Sequence, residues 1–170
     1  MKNLKLMAVA IIAIAFGSCS SDDNNDNNNN SGGIEGTYNL TQFNTSVATD
    51  FNKDGNSSTN QMEESECYDP AQITLKADNT FKYVVAYITV NTDASSTCTA
   101  FEVDGTWTAT NNTLTATYED PSGDDVTVNF ARSNNGRTLT ETRAVTRFPD
   151  RDSDGGATTR LGSVQLVFEK

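Results

Sequence analysis

The sequence predicts an all-β fold, an up-and-down meander of eight strands, from three observations. From Ile34 onward the chain is rich in Thr, Val and aromatic residues. Clusters of Asn, Asp and Gly recur about every ten residues, as turns between strands do. No stretch carries the 3.6-residue apolar period of an amphipathic helix.

Taken in order, the expected strands are 34–43, 71–76, 80–90, 98–109, 113–119, 125–131, 137–147 and 160–169. The third places Phe81, Tyr83, Val85 and Tyr87 on one face and Val84, Ala86 and Ile88 on the other. Leu114, Ala116 and Tyr118 share a face of the fifth, Val126, Val128 and Phe130 a face of the sixth, and Val164, Leu166 and Phe168 a face of the last. Those faces are expected to point inward. Ala77-Asp78-Asn79, Thr110-Asn111-Asn112 and Ser133-Asn134-Asn135-Gly136 are short and carry residues suited to tight hairpins. The other four connections are longer. Because successive connections of a meander alternate between two ends, the tight turns gather at one end and the longer loops at the other, which describes a cup with a rim.

The first 33 residues carry an address. Lys2 and Lys5 precede an apolar run from Met7 to Phe16, followed by Gly17 and Ser18 ahead of Cys19. This is the layout of a secretory signal over residues 1–18, and the run is about half of the ~20 residues a transmembrane helix needs. Gly17-Ser18-Cys19 resembles a bacterial lipobox, in which Cys19 is acylated and becomes the first mature residue, ordinary secretion being the alternative. Residues 19–33 are dominated by Asn, Asp, Ser and Gly, cannot bury a core, and read as a solvated tether. Asp22-Asp23 after the cysteine resembles the surface-export signal of lipoproteins from one phylum of gut and aquatic Gram-negative bacteria. That resemblance implies an outer-membrane lipid anchor with residues 34–170 as the domain facing outward. In such a compartment Cys67 and Cys98 are expected to pair, though they begin strands separated by a third, so loop residues must lean across it.

Ile34-Glu35-Gly36-Thr37-Tyr38-Asn39-Leu40 resembles the Gly-x-Trp opening strand of lipocalins with Tyr in place of Trp, and Asp104-Gly105-Thr106-Trp107 with Asn112-Thr113-Leu114-Thr115 resembles the second signature of bacterial lipocalin-like lipoproteins. The resemblance spans most of residues 34–170. It implies an eight-stranded antiparallel up-and-down barrel, lipocalin-like, often with an internal site for a small apolar molecule. A barrel of that size has room either for packed side chains or for one small ligand.

Acidic residues crowd the longer connections. Asp50-x-Asn52-x-Asp54-Gly55-Asn56 and Asp150-x-Asp152-x-Asp154-Gly155 both reproduce the first half of a calcium-binding loop, in which alternate oxygen-bearing side chains converge and Gly permits the bend that turns the next carbonyl inward. Position twelve holds Gln61 and Leu161 rather than Glu, so neither is an EF-hand. Glu63 or Glu64 could complete the first. If the outermost strands close a barrel, the two loops stand side by side, and calcium becomes the expected cation of the rim.

Composition excludes several functions. The chain has 12 Lys and Arg against 23 Asp and Glu, a net charge of −11, and no histidine. Nucleic acid is not an expected partner, since phosphate binding needs clustered cations. Without His there is no Ser/His or Cys/His nucleophile, and no carboxylate pair stands out for acid–base chemistry, so the chain is read as not an enzyme. The expected function is a membrane-tethered binding module for a small apolar ligand with a calcium-stiffened rim; the alternative is a calcium-stabilised adhesion or glycan-binding β domain. No signal for an oligomeric state is present.

Overall fold

The structure is a computed structural model and describes residues 33–170. The expected signal segment, Cys19 and all of the tether except Gly33 lie outside the described residues. The order of elements is β1 (Gly36–Thr49), β2 (Ser58–Asn60), a 3-10 helix (Glu66–Tyr68), β3 (Gln72–Leu75), β4 (Thr80–Val90), β5 (Ser96–Ala109), β6 (Thr113–Glu119), β7 (Asp125–Ser133), a second 3-10 turn (Asn134–Gly136), β8 (Thr138–Arg151) and β9 (Ala157–Glu169). Strands β1 and β3 to β9 pair in sequence order, all antiparallel, and β1 pairs with β9 to close an eight-stranded barrel; β2 is appended to β1. Closure leaves no long free edge between β1 and β9.

One end is packed. Ile34, Tyr38, Leu75, Phe81, Trp107, Leu114, Phe130, Leu139 and Phe168 are fully or almost fully buried there. The Tyr38 hydroxyl lies 2.6 Å from the carbonyl oxygens of both Ile34 and Gly136 and donates to one at a time. Lys170 covers the Tyr38 ring, its Nζ 5.1 Å from the centroid, and donates to the carbonyls of Gly33 and Glu35 at 2.6 and 3.0 Å. The first and last residues of the domain are thus joined through one aromatic side chain. The Trp107 indole donates to the Lys76 carbonyl at 3.2 Å and closes the turn before β4.

Gly105, two residues before Trp107, has a steric reason. It pairs with Phe81 on one side and Tyr118 on the other, and those rings stack across it at 6.0 Å with a 17° interplanar angle. A Cβ there would lie 2.2 Å from the Thr117 carbonyl oxygen and 2.8 Å from Tyr118 Cβ. Only glycine lets β5 approach β6 this closely.

At the opposite end two connections are shorter than expected. β5 starts at Ser96, β8 runs on to Arg151 and β9 starts at Ala157, so residues 91–95 and 152–156 are tight five-residue turns between projecting hairpins, and residues 120–124 form a third, of the length expected. The strands run on because Thr, Arg and Phe continue the ladder where local composition suggested loop, up to the pair Arg151 with Ala157. Only residues 50–71 form a long connection. Its position follows from a mismatch in length: β3 has four residues and its neighbours β1 and β4 have 14 and 11. The gap in the wall is filled by β2 and the helix Glu66–Tyr68, with Tyr68 edge-on to Phe43 at 4.8 Å. Cys67 bonds Cys98 on β5 with Cα atoms 5.1 Å apart, so the helix leans across the outer face of β4 as the cysteine spacing required.

Candidate functional site

Beyond Tyr83, Leu166 and Phe168 the core gives way to a cavity of about 370 Å³ that opens toward the projecting hairpins. An eight-stranded barrel has room for one small ligand where its interior is not filled by side chains. The walls are Leu40 and Phe43 from β1, Val85 and Tyr87 from β4, Phe101 from β5, and Val164 and Leu166 from β9, with Tyr68 and Ala71 in the wall gap. Both expected faces of the third strand reach it, since Ala86 and Ile88 line it beside Val85 and Tyr87. The barrel is therefore packed at one end and hollow at the other.

Its polar groups come from residues two apart on β8, which share the inward face. The Arg143 guanidinium bonds Glu141 in a fork, Nε to Oε1 at 2.5 Å and Nη2 to Oε2 at 2.9 Å. Glu141 is 6 % exposed, whereas 42 % of the Arg143 side chain remains accessible at the mouth. Burial alone would lower the guanidinium's proton affinity, but the hydrogen-bonded Glu141 carboxylate outweighs it and holds Arg143 charged, above its ordinary value. Burial raises the Tyr83 hydroxyl well above its usual range, with the Glu141 charge acting in the same direction. A register shift between Arg143 and Thr146 re-aims β8 so that Arg147 and Pro149 also line the cavity. None of these residues formed part of the site expected from sequence. The signal was present in Thr140-Glu141-Thr142-Arg143, a strand whose alternate positions are charged instead of apolar.

The acidic loops lie at the rim, and the two expected half-sites do adjoin. The Arg151 Nε donates to the Phe51 carbonyl at 2.9 Å, its guanidinium sits 4.1 Å from the Phe51 ring centroid, and Lys53 Nζ lies against Gly155. In the first loop, Asp50 Oδ2 accepts from the Gly55 N–H at 3.1 Å, Asn52 Oδ1 from Asp54 at 2.9 Å, and Asp54 Oδ1 from Asn56 at 2.7 Å. Asp50 Oδ1 is buried without a partner. Glu64, 4 % exposed, accepts from the backbone N–H groups of Phe51, Asn52 and Ser58 at 2.8, 3.3 and 3.0 Å. It ties the loop together through its backbone.

The second loop differs. The Asp150 carboxylate pairs with Arg160 at 2.7 Å and accepts from its neighbour's N–H, while Asp152 Oδ1 accepts from Asp154 and Gly156 at 3.0 and 2.7 Å. Protein cations, Arg160 on Asp150 and Lys53 over Gly155, occupy this side of the rim. Among the described residues no three His, Cys, Asp or Glu side chains are gathered as a metal cage.

A family model described as a lipocalin-like domain matches residues 34–140, more than half of the chain. The chain belongs to the lipocalin-like family. Neither a curated protein nor a solved structure matches it. A lipocalin-like barrel is the architecture of a small-ligand binding module, and here the matched segment includes the opening strand with Tyr38, the Gly105-Thr106-Trp107 signature and the wall gap filled by Tyr68. β8, which supplies both Arg143 and Arg147, runs past its end.

Proposed function

We propose that this lipocalin-like protein is a non-enzymatic binding module, held at the cell surface by a lipid on Cys19, that takes a small and largely apolar molecule into the hollow half of its barrel. The carrying observation is the cavity of about 370 Å³ walled by apolar side chains, within the ~300–1,000 Å³ range of small-molecule sites. The lipobox-like Gly17-Ser18-Cys19 and the Asn-rich segment after it support tethering to the outer membrane, facing outward. The absence of His from the whole chain supports a binding role over a hydrolytic one.

Calcium at the rim belongs to the same reading, on the first loop alone. Asp50 Oδ1 is a buried carboxylate oxygen without a protein donor, at the position where the loop pattern places its first ligand. Asp50, Asn52, Asp54 and the Asn56 carbonyl would hold the ion, which would stiffen residues 50–71 where they flank the cavity mouth. Arg160 and Lys53 leave the second loop unsuited to a further cation.

The test of the binding reading is titration of the full chain with N-phenyl-1-naphthylamine, an uncharged apolar fluorophore. A saturable one-to-one enhancement, abolished by Val85→Trp in a variant that retains its circular dichroism, is the expected result. Enhancement that survives Val85→Trp, or none at all, would sink it.

A further inference from the structure

The hollow half of the barrel also specifies the chemistry of its occupant, an inference that rests on the binding reading above. The cavity's charge is opposite in sign to the chain's. The chain carries −11 overall, yet the charged side chains lining the cavity are Arg143 and Arg147, with no carboxylate in the described lining. Glu141 lies behind Arg143 and takes two of its five N–H donors, through Nε and Nη2. The Tyr83 hydroxyl lies beside the guanidinium as a further hydrogen-bond partner, and the donors left over face the cavity, which Arg143 lines. Arg147 donates one bond, from Nη1 to the Thr159 hydroxyl at 3.2 Å.

A second observation is independent of these charges. Tyr68 lines the same cavity, is 1 % exposed, and carries a hydroxyl with no hydrogen-bond partner. Phe at this position would fill the same space with nothing left unpaired, so the phenol is a buried donor in want of an acceptor. Burial holds that hydroxyl firmly protonated, raised well above its ordinary value. Guanidinium groups match carboxylates in geometry, and Arg143, pre-oriented by Glu141, loses little freedom when an anion arrives.

We propose that the barrel binds a small anionic amphiphile, a chain carboxylate whose tail lies among Leu40, Val85, Phe101 and Phe168 and whose head group is held by Arg143 and Arg147, with the Tyr68 hydroxyl donating to the ligand. At ~30 Å³ per water-sized group the cavity accommodates about a dozen such groups, which suits decanoate with its roughly twelve non-hydrogen atoms.

The experiment is calorimetric titration of the full chain in detergent-free buffer with three probes of equal chain length: decanoate, decanol and decyltrimethylammonium, each below its micelle-forming concentration. Decanoate is expected to bind at least tenfold more tightly than decanol, with decyltrimethylammonium weakest. Replacing both members of the ion pair, Glu141→Gln with Arg143→Gln, strands no buried charge and is expected to bring the decanoate-to-decanol ratio below twofold while decanol affinity holds. Arg147→Gln, at an exposed position, is expected to cut the ratio at least threefold, which keeps the test decisive should the double variant not fold. Tyr68→Phe is expected to weaken decanoate several-fold without lowering the melting temperature. Equal binding of decanoate and decanol would overturn the head-group assignment and leave the apolar-ligand reading standing. Preference for the cation would overturn it in the same way. Binding of none of the three up to millimolar concentration would overturn both.

Discussion

Removing the Cys67–Cys98 bond is the perturbation whose size follows most directly from the structure. The bond closes a loop with a sequence separation of 31. Chain-entropy arguments put the denatured-state cost of such a closure at about 12 cal/mol/K, or about 3.7 kcal/mol at 25 °C. For a domain of this size that corresponds to a melting temperature lower by roughly 10–15 °C. In urea it corresponds to a midpoint lower by roughly 2 M at a slope of about 1.8 kcal/mol/M. The assay is urea unfolding of the oxidised protein against Cys67→Ala with Cys98→Ala, followed by circular dichroism and by Trp107 fluorescence. The slope itself should rise in the double variant, because an unbridged denatured chain exposes more surface. Hydrogen exchange adds a spatial prediction: the most protected amides, those of β6 and β7 included, should lose protection equivalent to the global loss of about 3.7 kcal/mol, and residues 58–71, where the bond pins the helix Glu66–Tyr68 across β4, should also open locally. A loss below about 1 kcal/mol with an unchanged slope would refute the reasoning, since the cross-link would then not be restricting the unfolded state.

Three further outcomes are expected. Gly105→Ala should destabilise the barrel by about 3 kcal/mol, read by the same urea midpoint, because its Cβ would collide with the Thr117 carbonyl; retention of full stability would mean that β5 and β6 can separate at that point. Alkali should unfold the domain: burial pushes the Tyr38 hydroxyl up to about 12, so its contribution is complete below the unfolded value of 10 and falls by about 1.4 kcal/mol per pH unit from there to about 12. Tyr68, Tyr83 and Tyr118 are raised in the same direction, and tyrosinate absorbance rising with full amplitude near pH 10 in the folded state would contradict this. Calcium measured by calorimetry should bind with a dissociation constant of about 0.1–1 mM, be lost in Asp50→Ala and stay within about twofold in Asp152→Ala; equal loss in both variants would return the second loop to the site.

The strands and their order were legible in the sequence because the information is local. Alternation such as Val126, Val128 and Phe130 specifies an inward face whatever the strand lies beside, and Asn, Asp and Gly clusters specify where the chain turns. The resemblance at Tyr38 and at Gly105-Thr106-Trp107 added barrel closure, and the structure supplies the physical content of those motifs: a phenol lodged between two carbonyls at the packed end, donating to either, and a glycine over which Phe81 and Tyr118 stack. Acidic residues were legible as a rim, but their partners were not. Whether Asp150 faces an open site or Arg160 depends on the register of β8 against β9, which pairs Phe148 with Arg160 and brings the guanidinium to the carboxylate two residues away.

The cavity was the part that only tertiary structure could decide. Tyr68 stands in a connection with no periodicity, and it becomes a wall residue because β3 is too short to fill the space between β1 and β4. Glu141 and Arg143 read as surface charges until closure places that face of β8 inside, beside Tyr83 and Leu166. Hydrophobic periodicity reports a face by being apolar, so it is silent where an inward face carries charge. The chain's own sequence thus determined the strands, the turns, the bond between Cys67 and Cys98 and the adjacency of the rim loops. Long-range pairing, through unequal strand lengths and one register shift, determined that half of the barrel is hollow and that its charge is positive.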